Sequence, residues 1–148
     1  MLSKSIESGL PQSVGRKIYS IPTFRTHWLA GLRAAEIPLY VATSKPHIYA
    51  TKIIEHFQLG QYFEAVYGSE LDGTRSTKCE LLEYAMSDSG ARENVAMVGD
   101  RKHDVAGALA NGIKAIGVTY GYGSRKELIH AGADSVVDKP GELLDVLL

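Results

Sequence analysis

What most constrains this chain is a regular alternation of short apolar runs with amphipathic helical stripes. Phe24, Trp28 and Leu32 recur every fourth residue, with Leu29 and Ala35 in the same stripe, so positions 23–35 predict a helix after Pro22. Positions 37–43 (IPLYVAT) form a short apolar run that suits a buried strand better than a helix. Pro46 fits the first turn of the next helix, whose inner face is Ala50, Ile53, Ile54 and Phe57. The pattern then repeats, with a strand over 63–67, a polar loop over 68–77, a helix over 78–86 and a second buried strand over 94–98. A helix over 101–110 follows, closed by Asn111-Gly112 as a left-handed cap. The rest reads as a strand over 113–119, a turn at Gly121-Tyr122-Gly123, a helix over 125–131, a strand over 135–138 and a terminal helix over 141–148. Such alternation predicts an α/β domain, a parallel sheet flanked by helices with right-handed crossovers.

Composition removes several classes of function. With 148 residues, 45% of them apolar and 22% charged, the chain can bury one substantial core. A net charge of -1 gives no electrostatic footprint for nucleic acid or an anionic membrane. Cys79 is the only cysteine, so no internal disulfide can form, which fits a reducing, cytoplasmic compartment. The first ten residues have no signal-peptide pattern, and no apolar stretch approaches membrane-spanning length. Positions 1–17 are polar and aperiodic and read as a linker or frayed helix.

In parallel sheets the chemistry lies beyond the carboxyl ends of the strands. The segment Val98-Gly99-Asp100-Arg101-Lys102-His103-Asp104 is the sharpest feature there. Asp100 and Asp104 share a helix face, with Cβ atoms roughly 5–6 Å apart, and Gly99 would let a ligand approach the backbone. Two hard oxygen donors with open positions suit magnesium. The same pattern would also arise if Asp100 were an N-cap and Asp104 a dipole complement. Thr43-Ser44-Lys45 ends a buried strand just before a helix, where hydroxyls and free N–H groups can hold a phosphate oxygen or cap the helix. Lys78 stands near a helix start, where the dipole disfavours a cation and an anionic neighbour would offset it.

Taken in chain order, strand–Thr, loop lysine and strand–Gly-Asp-x-x-x-Asp resemble the second, third and fourth motifs of the haloacid-dehalogenase-like (HAD) superfamily. The wording VATSKP, LDGTRSTK, MVGDRKHD and GVTYGYGS is similar to its phosphoglycolate-phosphatase-like and nucleotidase-like members. The resemblance, which runs from about position 21 to the C-terminus, implies a magnesium-dependent phosphomonoester hydrolase with a Rossmann-like sheet. It implies that Thr43, with Ser44, binds the transferring phosphoryl group, that Lys78 offsets its charge, and that Asp100 and Asp104 serve the magnesium. The substrate it implies is a small phosphorylated metabolite such as phosphoglycolate or a nucleoside monophosphate.

One part of the family pattern is missing. The first motif, Asp-x-Asp-Gly-Thr, supplies nucleophile and acid/base and should precede Thr43, but no aspartate occurs before Asp72. Glu70-Leu71-Asp72-Gly73-Thr74 imitates it but falls in a loop after the second motif, so it is read as a turn leading to Arg75 and Lys78. The expectation is a partial HAD-like core over 18–148, lacking the first central strand and most of the cap, with 1–17 as a cap remnant. Such a chain would be inactive alone, or would act as a phosphate-binding or partner-binding module, and its exposed strand edges would favour self-association. Gly121-Tyr122-Gly123 lacks the third glycine of a dinucleotide fingerprint. Cys79 has no base beside it, and the five histidines show no metal-binding spacing.

Overall fold

The computed structural model describes residues 26–148. Expectations for 1–17, and for the helix start at 23–25, lie outside these residues. The elements are α1 (His27–Ala34), β1 (Tyr40–Pro46), α2 (His47–His56), a single 3-10 turn (Gly60–Tyr62), β2 (Ala65–Ser69), α3 (Lys78–Ser89), β3 (Ala96–Gly99), α4 (Lys102–Ala110), β4 (Lys114–Val118), α5 (Arg125–His130), β5 (Ser135–Val137) and α6 (Glu142–Leu147). Every ladder is parallel: β1 pairs with β2, and β4 lies between β3 and β5. Among the described residues no helix is long and apolar enough to cross a membrane.

Strand side chains alternate between two cores. Val41, Val98, Ile116, Val118 and Val137 pack with Leu29 and Leu32 of α1, Ile54 of α2 and Leu143 of α6. Their neighbours Ala42, Met97 and Ala115 pack on the other face with Leu81, Leu82 and Ala85 of α3, Val105 and Ala108 of α4 and Leu128 of α5. The period of two along each strand therefore places helices on both faces of the sheet. No ladder joins β1 to β3, yet Val41 shares a core with Val98 and Ala42 shares one with Met97.

Helix boundaries follow local chemistry. Thr77 accepts from the Glu80 N–H and caps α3, and Ser124 accepts from the Glu127 N–H and caps α5. Some boundaries differ from those expected. Pro46 closes β1 instead of opening α2, because its extended backbone (ψ 135°) continues the strand past an irregularity between Thr43 and Pro46. The third helix runs to Ser89 instead of 86, since its first breaker is Gly90, at φ 72°.

Candidate active site at the carboxyl ends of the strands

Thr43 ends the buried part of β1 and is 2% exposed. Its Oγ1 accepts from the Lys45 N–H at 3.2 Å, which leaves the hydroxyl hydrogen to donate elsewhere. The loop is braced from β2, whose Ser69 hydroxyl donates to the Ser44 carbonyl at 2.9 Å. A Cβ on Gly68 would sit 2.6 Å from the Lys45 carbonyl oxygen and from the His47 nitrogen, so β2 can approach this loop only with a glycine there. Ser44 itself is exposed. Gly68 and Ser69 thus belong to β2 and shape the Thr43 loop, although sequence pattern put them in the following loop.

Lys78 opens α3 and is 6% exposed. Its stem crosses α4 where Gly107 makes room, since a Cβ at 107 would lie 2.6 Å from Lys78 Cγ. The ammonium donates to the Ala42 carbonyl at 2.9 Å, immediately before Thr43, and pairs with Asp104 Oδ1 at 3.0 Å. Asp104 Oδ2 accepts from the N–H groups of Asp100 (3.2 Å) and Arg101 (3.1 Å). One chain of contacts therefore links the end of β1 to the start of α4 through Lys78 and Asp104. Gly99 has a different job from the one its position suggests: a Cβ there would lie 2.2 Å from Asp104 Cβ. It admits the Asp104 side chain.

Asp100 is fully buried. Its Oδ2 accepts from the Tyr122 N–H at 2.8 Å, while Oδ1 has no partner. The N-cap of α4 is Arg101, and the carboxylate that reaches back to the helix start is that of Asp104, so Asp100 is not a cap. The turn after β4 is moulded on Asp100: added Cβ atoms would lie 2.3 Å from its Cβ at Gly121 and 2.0 Å from its carbonyl oxygen at Gly123. This explains the Gly-x-Gly of that turn, a signal visible in the sequence but without an evident partner there.

A buried carboxylate oxygen with no donor fits a hard cation that keeps most of its waters. Asp104, by contrast, has both oxygens committed to Lys78 and to backbone N–H groups. The two aspartates, both expected to serve the magnesium, are thus chemically distinct. The described residues contain no group of three or more His, Cys, Asp or Glu suited to a metal, so Asp100 would be the direct protein donor.

Other features frame the site. Glu127 of α5 accepts from Arg101 Nε (3.0 Å) and from the Lys102 N–H (2.9 Å), and these two bonds hold its carboxyl below the ordinary range. His103 is exposed. In the loop over 70–77, Asp72 Oδ1 accepts from the Thr74 N–H at 2.9 Å, which lowers its pKa, and Glu70 pairs with Arg75. The guanidinium of Arg75 lies 4.1 Å over the Tyr84 ring. Glu70 and Asp72 are exposed and serve their own turn, as the loop reading anticipated.

Residues 16–118 match the family of haloacid dehalogenase-like hydrolases, and the chain belongs to that family. It is 53% identical over 91 residues to a 5'-nucleotidase from Pseudomonas aeruginosa, covering 61% of this chain and 41% of that protein. It is 43% identical over 110 residues to the tyrosine-protein kinase PtkA of Mycobacterium tuberculosis, covering 74% and 38%. A phosphoglycolate phosphatase from Chromobacterium violaceum is 34% identical over 117 residues, covering 78% and 51%. Among solved structures, a predicted phosphatase from Clostridium acetobutylicum superposes with a TM-score of 0.79 at 44% identity, covering 82% of this chain and 56% of that one. The chain spans about half, or less, of the length of the curated relatives it matches.

Proposed function

We propose that this chain carries the phosphate- and magnesium-binding part of a HAD-type phosphomonoester hydrolase, cytoplasmic and acting on a small phosphorylated metabolite such as phosphoglycolate or a nucleoside monophosphate. The observation that carries the proposal is the contact chain from Ala42 through Lys78 and Asp104 to Asp100, ending in a buried, unpartnered carboxylate oxygen. Thr43 donates its hydroxyl hydrogen to a phosphoryl oxygen. Lys78 has spent two of its three N–H donors on Ala42 and Asp104, and the third is available to the same phosphoryl group. Asp104 fixes the lysine and the backbone of the Asp100 turn. Magnesium, held by Asp100, would neutralise charge on the equatorial oxygens, the main requirement of phosphoryl transfer.

Hydrolysis through a phospho-enzyme also needs a carboxylate in line with phosphorus and an acid/base for the leaving oxygen. Thr43 and Lys78 cannot supply the carboxylate, Asp104 is committed, and no aspartate precedes Asp72 in the sequence. By this reading the 148-residue chain binds phosphate but does not turn over alone. The second reading is a non-catalytic module that binds phosphate or a partner chain. A phosphate-release assay with magnesium, on phosphoglycolate, nucleoside monophosphates and an aryl phosphate, tests the proposal beside Asp100→Asn. Negligible release in both is expected. Strong magnesium-dependent release that is lost in Asp100→Asn would refute the inactive-alone reading and reopen Glu70 and Asp72 as nucleophiles.

A further inference from the structure

Three buried side-chain polar atoms among the described residues have no hydrogen-bond partner: Arg75 Nε, Asp100 Oδ1 and the Tyr120 hydroxyl oxygen. The last two belong together. Strands β3 and β4 are paired, with Gly99 opposite Gly117, so Asp100 and Tyr120 both lie just beyond the carboxyl ends of neighbouring strands. The turn that carries Tyr120 is fastened to Asp100 by the Tyr122 N–H and by the close fit of Gly121 and Gly123. The Tyr120 ring packs on the core formed by Val98, Val118 and Leu143, which fixes where its hydroxyl can reach. At its ordinary pKa of about 10 the phenol is protonated at neutral pH and is a donor.

The two orphaned atoms have opposite needs. Asp100 Oδ1 accepts and calls for a cation, whereas a buried phenol O–H calls for an acceptor, and leaving either unmet is costly. A cation alone satisfies only the first. A cation together with an oxyanion satisfies both. We propose that Tyr120 is a further ligand-binding residue of this site, its hydroxyl donating to an oxygen of a phosphate group bound beside a cation on Asp100. The inference rests on the phosphate and magnesium reading given above, and it adds a donor from the end of β4.

The test uses the whole chain labelled with 13C at the tyrosine ζ carbon and titrated with orthophosphate, with and without saturating magnesium. Tyr120→Phe, which keeps the ring, identifies the Tyr120 signal. That signal is expected to move only when phosphate and magnesium are both present. In Tyr120→Phe, phosphate affinity should fall about tenfold, the size of a lost hydrogen bond to a charged group, with magnesium affinity unchanged. If wild type binds phosphate but the Tyr120 signal is still and Tyr120→Phe binds within twofold of wild type, the role of Tyr120 is refuted and the site reading survives. Tighter magnesium binding by Tyr120→Phe would mean that the hydroxyl donates to Asp100 itself, which also overturns the proposal. Absence of any phosphate or magnesium binding by wild type would overturn the site reading and this inference with it.

Discussion

Segments 70–74 and 98–104 both place carboxylates beside a glycine after a β-strand, but their surroundings differ completely. Asp72 is exposed, and its carboxylate serves an N–H two residues away. Asp100 is fully buried and is held by an N–H 22 residues away, inside a turn that closes around it. The ion pairs diverge in the same way. Lys78 and Asp104 have side chains 4% and 5% exposed, against 24% and 49% for Arg75 and Glu70. Short polar turns organise themselves through neighbours in sequence. A site needs groups from several elements packed together, and its residues cannot be altered one at a time without leaving a buried partner unmet.

Breaking the ion pairs should show the largest contrast. Lys78→Met leaves Asp104 buried without its cation and is expected to cost about 3–5 kcal/mol. Glu70→Gln, in the exposed pair, is expected to cost less than about 1 kcal/mol. Urea unfolding of the two variants beside wild type measures both, and equal costs would mean that the burial contrast carries no energetic weight.

Glycines give the next contrast. Gly123→Ala drives a Cβ to 2.0 Å from the Asp100 carbonyl oxygen, a backbone atom that cannot swing aside, and should cost about 3 kcal/mol. Gly73→Ala meets nothing within 4 Å and suffers only from its φ of 90°, for about 1 kcal/mol. A shift in unfolding midpoint for Gly123→Ala no larger than that for Gly73→Ala would show that the turn after β4 adapts freely to Asp100.

The smallest effect at neutral pH sharpens the account of how the 70–77 loop is held. Arg75 lies over Tyr84, whose ring meets Tyr67 edge-on at 5.9 Å, and the Tyr67 hydroxyl donates to Asp88 at 2.9 Å. Tyr67→Phe should cost about 0.5–1 kcal/mol at pH 7. Burial and then Asp88 push the Tyr67 pKa up from 10.0 to about 12. The unfolded chain therefore loses this proton near pH 10 while the folded chain keeps it until about pH 12, so stability falls with rising pH across that window. Tyr67→Phe lacks this contribution, and its stability should fall less than that of wild type between pH 10 and 12. Parallel curves for the two proteins would contradict the assignment.

Much of the site was legible because each proposed residue stands at a strand end or helix start that hydrophobic periodicity locates. Thr43 follows a buried run, Lys78 begins a helix and Asp100 follows a second run, so their meeting at one side of the sheet follows from a parallel topology. Ser44, expected to hold phosphate, is exposed, and its carbonyl is what braces the loop. Gly107 could not be interpreted from its place in a helix, because its use depends on a lysine stem arriving from α3.

By itself the sequence determined the class of fold, the order of elements and the residues available at the strand ends, since these depend on which face of each local segment is apolar. Tertiary structure alone decided which partners the two aspartates take, why Gly99, Gly121 and Gly123 are glycines, and that the buried Tyr120 hydroxyl is left without a partner. The physical reason is range. Burial patterns are written within a few residues of each position, whereas the partner of a buried carboxylate or phenol is set by how separate loops dock across the sheet.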